Sequence, residues 1–319
     1  MANISQFLHR GRHGILSVRS QVIEQREIAA GTVAISDGGD RCELLPQLGG
    51  CIIAWSVQGQ AMLRTASAAS IAARDLYGMA SFPLVPYSNR IGEASFEWNG
   101  KRIELARNFA PEPHAIHGVG FERSWHSSER KRDSVRLTLV HQPDDSWPWA
   151  FEAQQCITIA EHFLTLDLSA VNLAPHPVPL AFGHHPYFPQ AGALLSFAAR
   201  AVWLVGSDGL PTEPVTPSGQ FDFSQSMPVE HAEIDHCYTG WGGSSYITWP
   251  DKPWALQISG SRSLPCAVVC IRNGADAFCF EPVPHINNAL NLRDHEPAIP
   301  IVAPGESFKA SIRFRAVPR

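Results

Sequence analysis

The chain has 319 residues, of which 17% are charged and 45% apolar, with 25 Pro and 24 Gly. A charged share below the usual ~25% and so many turn residues argue against a disordered or helical chain and for a strand-rich globular one. The net charge of -5 offers no basic footprint for nucleic acid.

No apolar run approaches the ~20 residues of a membrane span. The N-terminal stretch also lacks the continuous apolar core of a secretory leader. Seven cysteines, Cys42, Cys51, Cys156, Cys237, Cys266, Cys270 and Cys279, form no Cys-x-x-Cys pair. An odd number without such pairs points to reduced, buried thiols in a cytoplasmic protein.

Residues 1–30 read as an N-terminal extension, partly disordered. It includes a solvated basic tail around Arg10 and Arg12 and a short helix at 17–28. From Gly31 onward the pattern is strands. Val33 and Ile35 alternate with Thr32 and Ala34, and a turn at 37–40 leads into 42–45. Gly49 and Gly50 separate that strand from 51–55. The alanine-rich stretch 65–76 predicts a helix.

Pro83 and Pro86 bar residues 81–91 from being a central strand, so a constrained loop is expected to deliver Asn89 and Arg90. Asn99-Gly100 predicts a type I′ hairpin across 96–103. Residues 111–118 form a second irregular loop carrying His114 and His117. Further on, Leu164, Leu166, Leu168 and Ala170 alternate with polar residues, as do Phe308, Ala310, Ile312 and Phe314. A period of two marks a sheet with one face on a core. Recurrent strands without a βα alternation predict one all-β domain over 31–319, a large antiparallel sandwich or barrel with few short helices.

Three stretches carry the chemistry. His184 and His185 stand side by side before Pro186, Tyr187 and Phe188, where a strand is expected to turn into a loop. A histidine held among aromatics can give or take a proton near neutral pH, although a single histidine there is more often structural. Glu281, between Phe280 and Pro282, follows an apolar strand, and desolvation there should raise its pKa and strengthen it as a base. Asp235 precedes an aromatic-rich turn. Trp147, Trp149, Tyr187 and Phe188 offer flat surfaces for a ligand, though most such aromatics belong to cores.

The set Asn89-Arg90-Ile91, His117-Gly118, His185-x-Tyr187-Phe188, Asp235 and Glu281-Pro282, in that order, resembles the aldose 1-epimerase (mutarotase) family. So does the run at 147–152, and the likeness spans residues 31–317. The resemblance implies a twisted antiparallel β-sandwich with a sugar cleft on one face. It implies that His185 is the general acid at the ring oxygen and Glu281 the general base at the anomeric hydroxyl. It casts Arg90, His117, Asp235, Asn89 and Tyr187 as substrate-binding residues.

No cofactor and no metal are implied. The expected partner is a small sugar, with no nucleic acid or membrane, and the protein is expected as a monomer or homodimer. His184 in place of Asn, Gly118-Val119-Gly120 in place of Gly-Gly, and Pro189 after Phe188 resemble a less characterised bacterial branch. The alternatives are a hexose-6-phosphate 1-epimerase, which needs a basic phosphate cluster, or a non-catalytic sugar-binding protein of the same fold. A cupin-like metal centre would gather His114, His117, His184, His185 and His285. A glycoside hydrolase would pair Asp235 with Glu281.

Overall fold

The computed structural model describes residues 31–319 except His231 and Arg293. The extension over residues 1–30 and the helix at 17–28 lie outside the described residues. Among the described residues, two large antiparallel sheets dominate, one of 11 strands and one of nine. No described helix is long and apolar enough to cross a membrane.

The nine-stranded sheet shows how the pattern builds the core. Phe163–Asn172 pairs with Ser307–Pro318 so that Leu164 faces Phe314, Leu166 faces Ile312 and Ala170 faces Phe308. Leu164, Leu166, Ile312 and Phe314 are completely buried. The two periods of two therefore lie on one face. Each such side chain contributes about 1.5–3 kcal/mol on burial. The sheets meet face to face: the Phe314 ring lies 6.1 Å from Phe188 and 6.2 Å from Trp55 of the larger sheet. Trp147 and Trp149 are buried, pack edge to face at 5.2 Å and pack against Phe96, at 6.0 and 6.2 Å.

The centre of the larger sheet runs, in spatial order, Ser81–Leu84, Gly183–Pro189, Ala277–Val283, Cys266–Ile271 and Ile234–Thr239. Two expectations fail here. Ser81–Leu84 is an internal strand despite Pro83. The neighbouring Cys51–Val57 strand pairs with it only at Ile52–Ser81, so a missing N–H at Pro83 leaves no ladder bond unmade on that side. His184 and His185 also lie within a strand, not beyond its end. Pairing with Ala277–Val283 begins only at Tyr187, and Pro186 is tolerated for the same reason. The placement of Asp235 and Glu281 is corrected likewise, since both lie inside strands.

The helix expected at 65–76 is shorter, Ala68–Ala73. Ser67 caps its start by accepting from the Ser70 N–H, and Arg74 ends it at φ 54. A three-residue turn at Leu76–Gly78 follows. The hairpin forms as expected, with Ser95–Trp98 against Lys101–Glu104 and positive φ at Asn99 and Gly100.

Candidate active site

Alternation along the Gly183–Pro189 strand sends its two histidines to opposite faces. His184 points between the sheets, where it meets Ser81 Oγ at 2.5 Å and Gln155 Oε1 at 3.1 Å. His185 and Tyr187 point to the outer face. On the next strand, Cys279 and Glu281 share that outer face. Register then lines up Tyr187, Cys279, Cys270 and Asp235 as one row across four strands.

This row floors a cavity of about 190 Å³, smaller than the ~300 Å³ and above of drug-sized pockets and suited to one small polar ligand. Its walls come from two loops. Asn89 and Arg90 lead one, and Phe109, Glu112 and His117 come from the other. The loops are tied together: the Arg90–Ile91 and Ala115–Ile116 segments pair, and His117 N–H donates to Asn89 O. Asn89 and His117 hold positive φ, 58° and 62°. Gly118 follows at φ 72°, where a Cβ would stand 2.3 Å from Val85 O. That contact is the physical reason for glycine after His117.

At the centre, His185 Nε2 lies 3.3 Å from Glu281 Oε1, and both side chains are buried. The His185 ring stacks against Phe82 and Tyr187, at 4.5 and 4.7 Å, and His117 meets it edge-on at 5.1 Å. Glu281 Oε2 is buried without a protein partner. A buried carboxylate oxygen left unpaired is costly, and it is available to a ligand hydroxyl. Burial pushes Glu281 well above the usual carboxylate range, and the nearby Cys270 and Asp235 add to this. Burial, then His117, pushes His185 well below the usual imidazole range.

The surrounding polar groups are held in place. The Asn89 N–H donates to His117 Nδ1 at 3.2 Å, which leaves the other ring nitrogen as the donor. Burial and the Arg90 charge push His117 down to about 3, so it is a neutral donor at pH 7. Arg90 grips Glu112 with two bonds, 2.8 and 3.0 Å. It also stands 3.6 Å from Asp235, which Arg272 contacts at 3.0 Å. Glu112 lies below its usual range because of the Arg90 hydrogen bond. Tyr77, Phe109 and Tyr187 supply flat apolar lining.

All seven residues singled out in the sequence, Asn89, Arg90, His117, His185, Tyr187, Asp235 and Glu281, line this one cavity. Asp235 and Arg90 form part of its charged rim. The cupin-like gathering does not form. His114 and His285 are buried and spent on backbone partners, at Glu93 N and Asp208 O, and at Ser88 N and Ile286 O. His184 is spent between the sheets. His185, Cys279 and Glu281 do bring donor atoms within 4.8 Å of one another, a set suited to a thiophilic divalent ion that would take both central groups.

The sequence reading missed Glu112, Tyr77 and Phe109. It also treated Cys270 as a buried structural thiol, whereas Cys270 lines the cavity and is partly exposed. Only the Glu112 position, between two prolines in a loop already under suspicion, carried a local signal.

A buried His/Glu couple in a polar cavity, on the outer face of a large antiparallel sandwich, places the chain among β-sandwich proteins of the galactose mutarotase-like fold. The sequence profile described as aldose 1-epimerase matches residues 32–315, and the chain belongs to that family. It is 28% identical over 250 residues to the Escherichia coli K12 protein YphB, itself described as uncharacterized, covering 73% of this chain and 82% of YphB. A crystal structure from Escherichia coli K12, provisionally described as an aldose 1-epimerase, superposes with a TM-score of 0.82 at 25% identity, covering 90% of this chain and 99% of that one. A galactose mutarotase-like protein from Clostridium acetobutylicum does so with a TM-score of 0.80 at 18% identity, covering 90% and 95%. The latter likeness speaks to fold alone.

Proposed function

We propose that the protein is a cofactor-independent aldose 1-epimerase that interconverts the anomers of a free, uncharged aldose. The observation that carries this reading is the 3.3 Å contact between His185 and Glu281 inside a buried polar cavity. Ring oxygen and anomeric oxygen sit on the same carbon, so an acid and a base this close can each reach one of them.

The couple holds one shared proton. Burial alone favours the neutral form, with the proton on Glu281. A bound sugar changes that balance. Its anomeric hydroxyl donates to Glu281 and its ring oxygen accepts from His185, so each charged form gains a hydrogen bond.

Glu281 then takes the anomeric O–H proton while His185 Nε2–H protonates the ring oxygen. The C1–ring-oxygen bond breaks and the aldehyde C=O forms. Rotation about C1–C2 presents the other face. On closure, His185 takes the hydroxyl proton and Glu281 returns its proton to the new anomeric oxygen. Each group contributes about 10²–10⁴-fold. His117 N–H and the Arg90 guanidinium donate to hydroxyls, Asp235 accepts from them, and Tyr187 backs the sugar's C–H face.

The charge pattern supports a neutral sugar over a phosphorylated one. Both arginines lining the cavity already face carboxylates, Arg90 with Glu112 and Asp235, and Arg272 with Asp235. A phosphate dianion would have to compete with these pairs. The test is two-dimensional exchange NMR on equilibrated aldoses and on hexose 6-phosphates. Faster anomer exchange for at least one neutral aldose is expected. Acceleration of the phosphates alone would overturn the substrate class, and acceleration of neither would leave a sugar-binding protein.

A further inference from the structure

Cys270 and Cys279 stand directly opposite each other in the antiparallel register of Cys266–Ile271 and Ala277–Val283. Their side chains share the cavity face of the sheet. Both line the cavity; Cys270 is partly exposed and Cys279 is buried. Residues directly opposite in such a pair have Cα atoms about 4.5–5.5 Å apart, within the ~4.4–6.8 Å a disulfide accepts. A disulfide between opposed strand neighbours tends to be strained and readily reduced, the kind used for switching.

We propose that Cys270 and Cys279 form an oxidisable dithiol that closes into a disulfide across the cavity floor and slows sugar turnover. The slowing rests on the epimerase reading; the bond does not.

The two thiols divide the work by their surroundings. The neighbouring Cys279 thiol holds the Cys270 thiol below its usual range against the opposing burial and the Asp235 charge, and Arg272 and Arg90 help. Burial pushes Cys279 well above its range. Cys270, the partly exposed thiol, is the one that peroxide reaches first, and the buried Cys279 is the resolving thiol. With hydrogen peroxide as oxidant, the Cys270 thiolate attacks one peroxide oxygen and becomes a sulfenic acid. The departing hydroxide takes a proton and leaves as water. The Cys279 sulfur then attacks the sulfenic sulfur, loses its proton, and releases a second water. Two thiols lose two electrons in all, and one peroxide is reduced to two waters.

The consequence reaches the central couple. The Cys279 sulfur packs within 4.8 Å of the His185 and Glu281 donor atoms. Drawing it toward Cys270 shifts the floor on which both groups rest. A second neighbouring thiol pair, Cys237 and Cys266, is fully buried. Its members are not register partners: Cys237 faces Val268 and Cys266 faces Thr239. That pair is a built-in control.

The experiment treats the reduced full-length protein with hydrogen peroxide, alkylates free thiols, and maps peptides by mass spectrometry. Anomer exchange is followed in parallel. The expected result is one peptide joining residues 270 and 279, lacking two hydrogens, and restored by dithiothreitol. A fall in exchange of about tenfold or more is expected to reverse with it, on the scale of one displaced catalytic group. Cys270→Ser should yield no linked peptide and keep its own untreated rate after peroxide. Alkylatable Cys270 after peroxide, or a link only between other cysteines, overturns the proposal. A 270–279 link with unchanged exchange in an active enzyme overturns the slowing. Inactivity on every sugar before peroxide is a failure of the epimerase reading instead, and the peptide map still decides the dithiol.

Discussion

Nε2 of His185 and Oε1 of Glu281 approach to 3.3 Å in a cavity that buries both side chains. Their ordinary pKa values are displaced in opposite directions by the same cause, loss of water. The couple is competent when it carries one proton, and it fails with two or with none.

This sets the pH profile. Adding a second proton charges His185, whose folded value lies well below its ordinary 6.5. Removing the last one charges Glu281, whose folded value lies well above its ordinary 4.5. The account predicts a kcat/KM profile whose acid limb lies below 6.5 and whose basic limb lies well above 4.5. An acid limb centred at or above an ordinary imidazole value would contradict it.

The same burial costs stability. Glu281 has a raised folded value, so its contribution is favourable below 4.5 and is lost as pH rises through the folded value. Above that value a buried charge must be carried. Glu281→Gln removes that cost. Its thermal midpoint at pH 8 should exceed that of the wild type by about 2–5 °C, and the gap should shrink toward pH 5. A lower midpoint at pH 8 would mean that the carboxylate is paired better than the structure shows.

Arg90 tests the charged rim. Lysine cannot make the two parallel bonds to Glu112. Arg90→Lys should raise KM by about 10- to 100-fold, the worth of one hydrogen bond to a charged group, with a smaller change in kcat. Steady-state kinetics on the preferred aldose decide it. A loss confined to kcat would place Arg90 in the chemical step.

Gly118 tests the loop that presents His117. A Cβ there meets Val85 O at 2.3 Å, and φ is 72°. Gly118→Ala should cost about 2 kcal/mol or more in chemical denaturation and weaken sugar binding together with stability. An alanine variant as stable as the wild type would show that the loop relaxes freely.

The fold class was legible because its signal is local. Leu164, Leu166 and Leu168 alternate with polar neighbours, and Asn99-Gly100 announces a hairpin. The site was legible because five short motifs fall in family order. What escaped depends on pairings distant in sequence. Pro83 and Pro186 sit in internal strands because the adjacent ladders stop short of them, which the prolines themselves do not reveal. Without strand geometry at 183–189, nothing separated His184, turned inward to Gln155, from His185, turned to the cavity. Cys270 and Cys279 read as ordinary buried thiols until register set them face to face.

The most direct test of the central claim is the anomer exchange rate of His185→Asn and Glu281→Gln beside the wild type, each shown folded by circular dichroism. The account predicts that each substitution lowers exchange by at least about 10²-fold while the protein still binds the sugar. Exchange at the wild-type rate in either folded variant would contradict the assignment of ring opening to this couple.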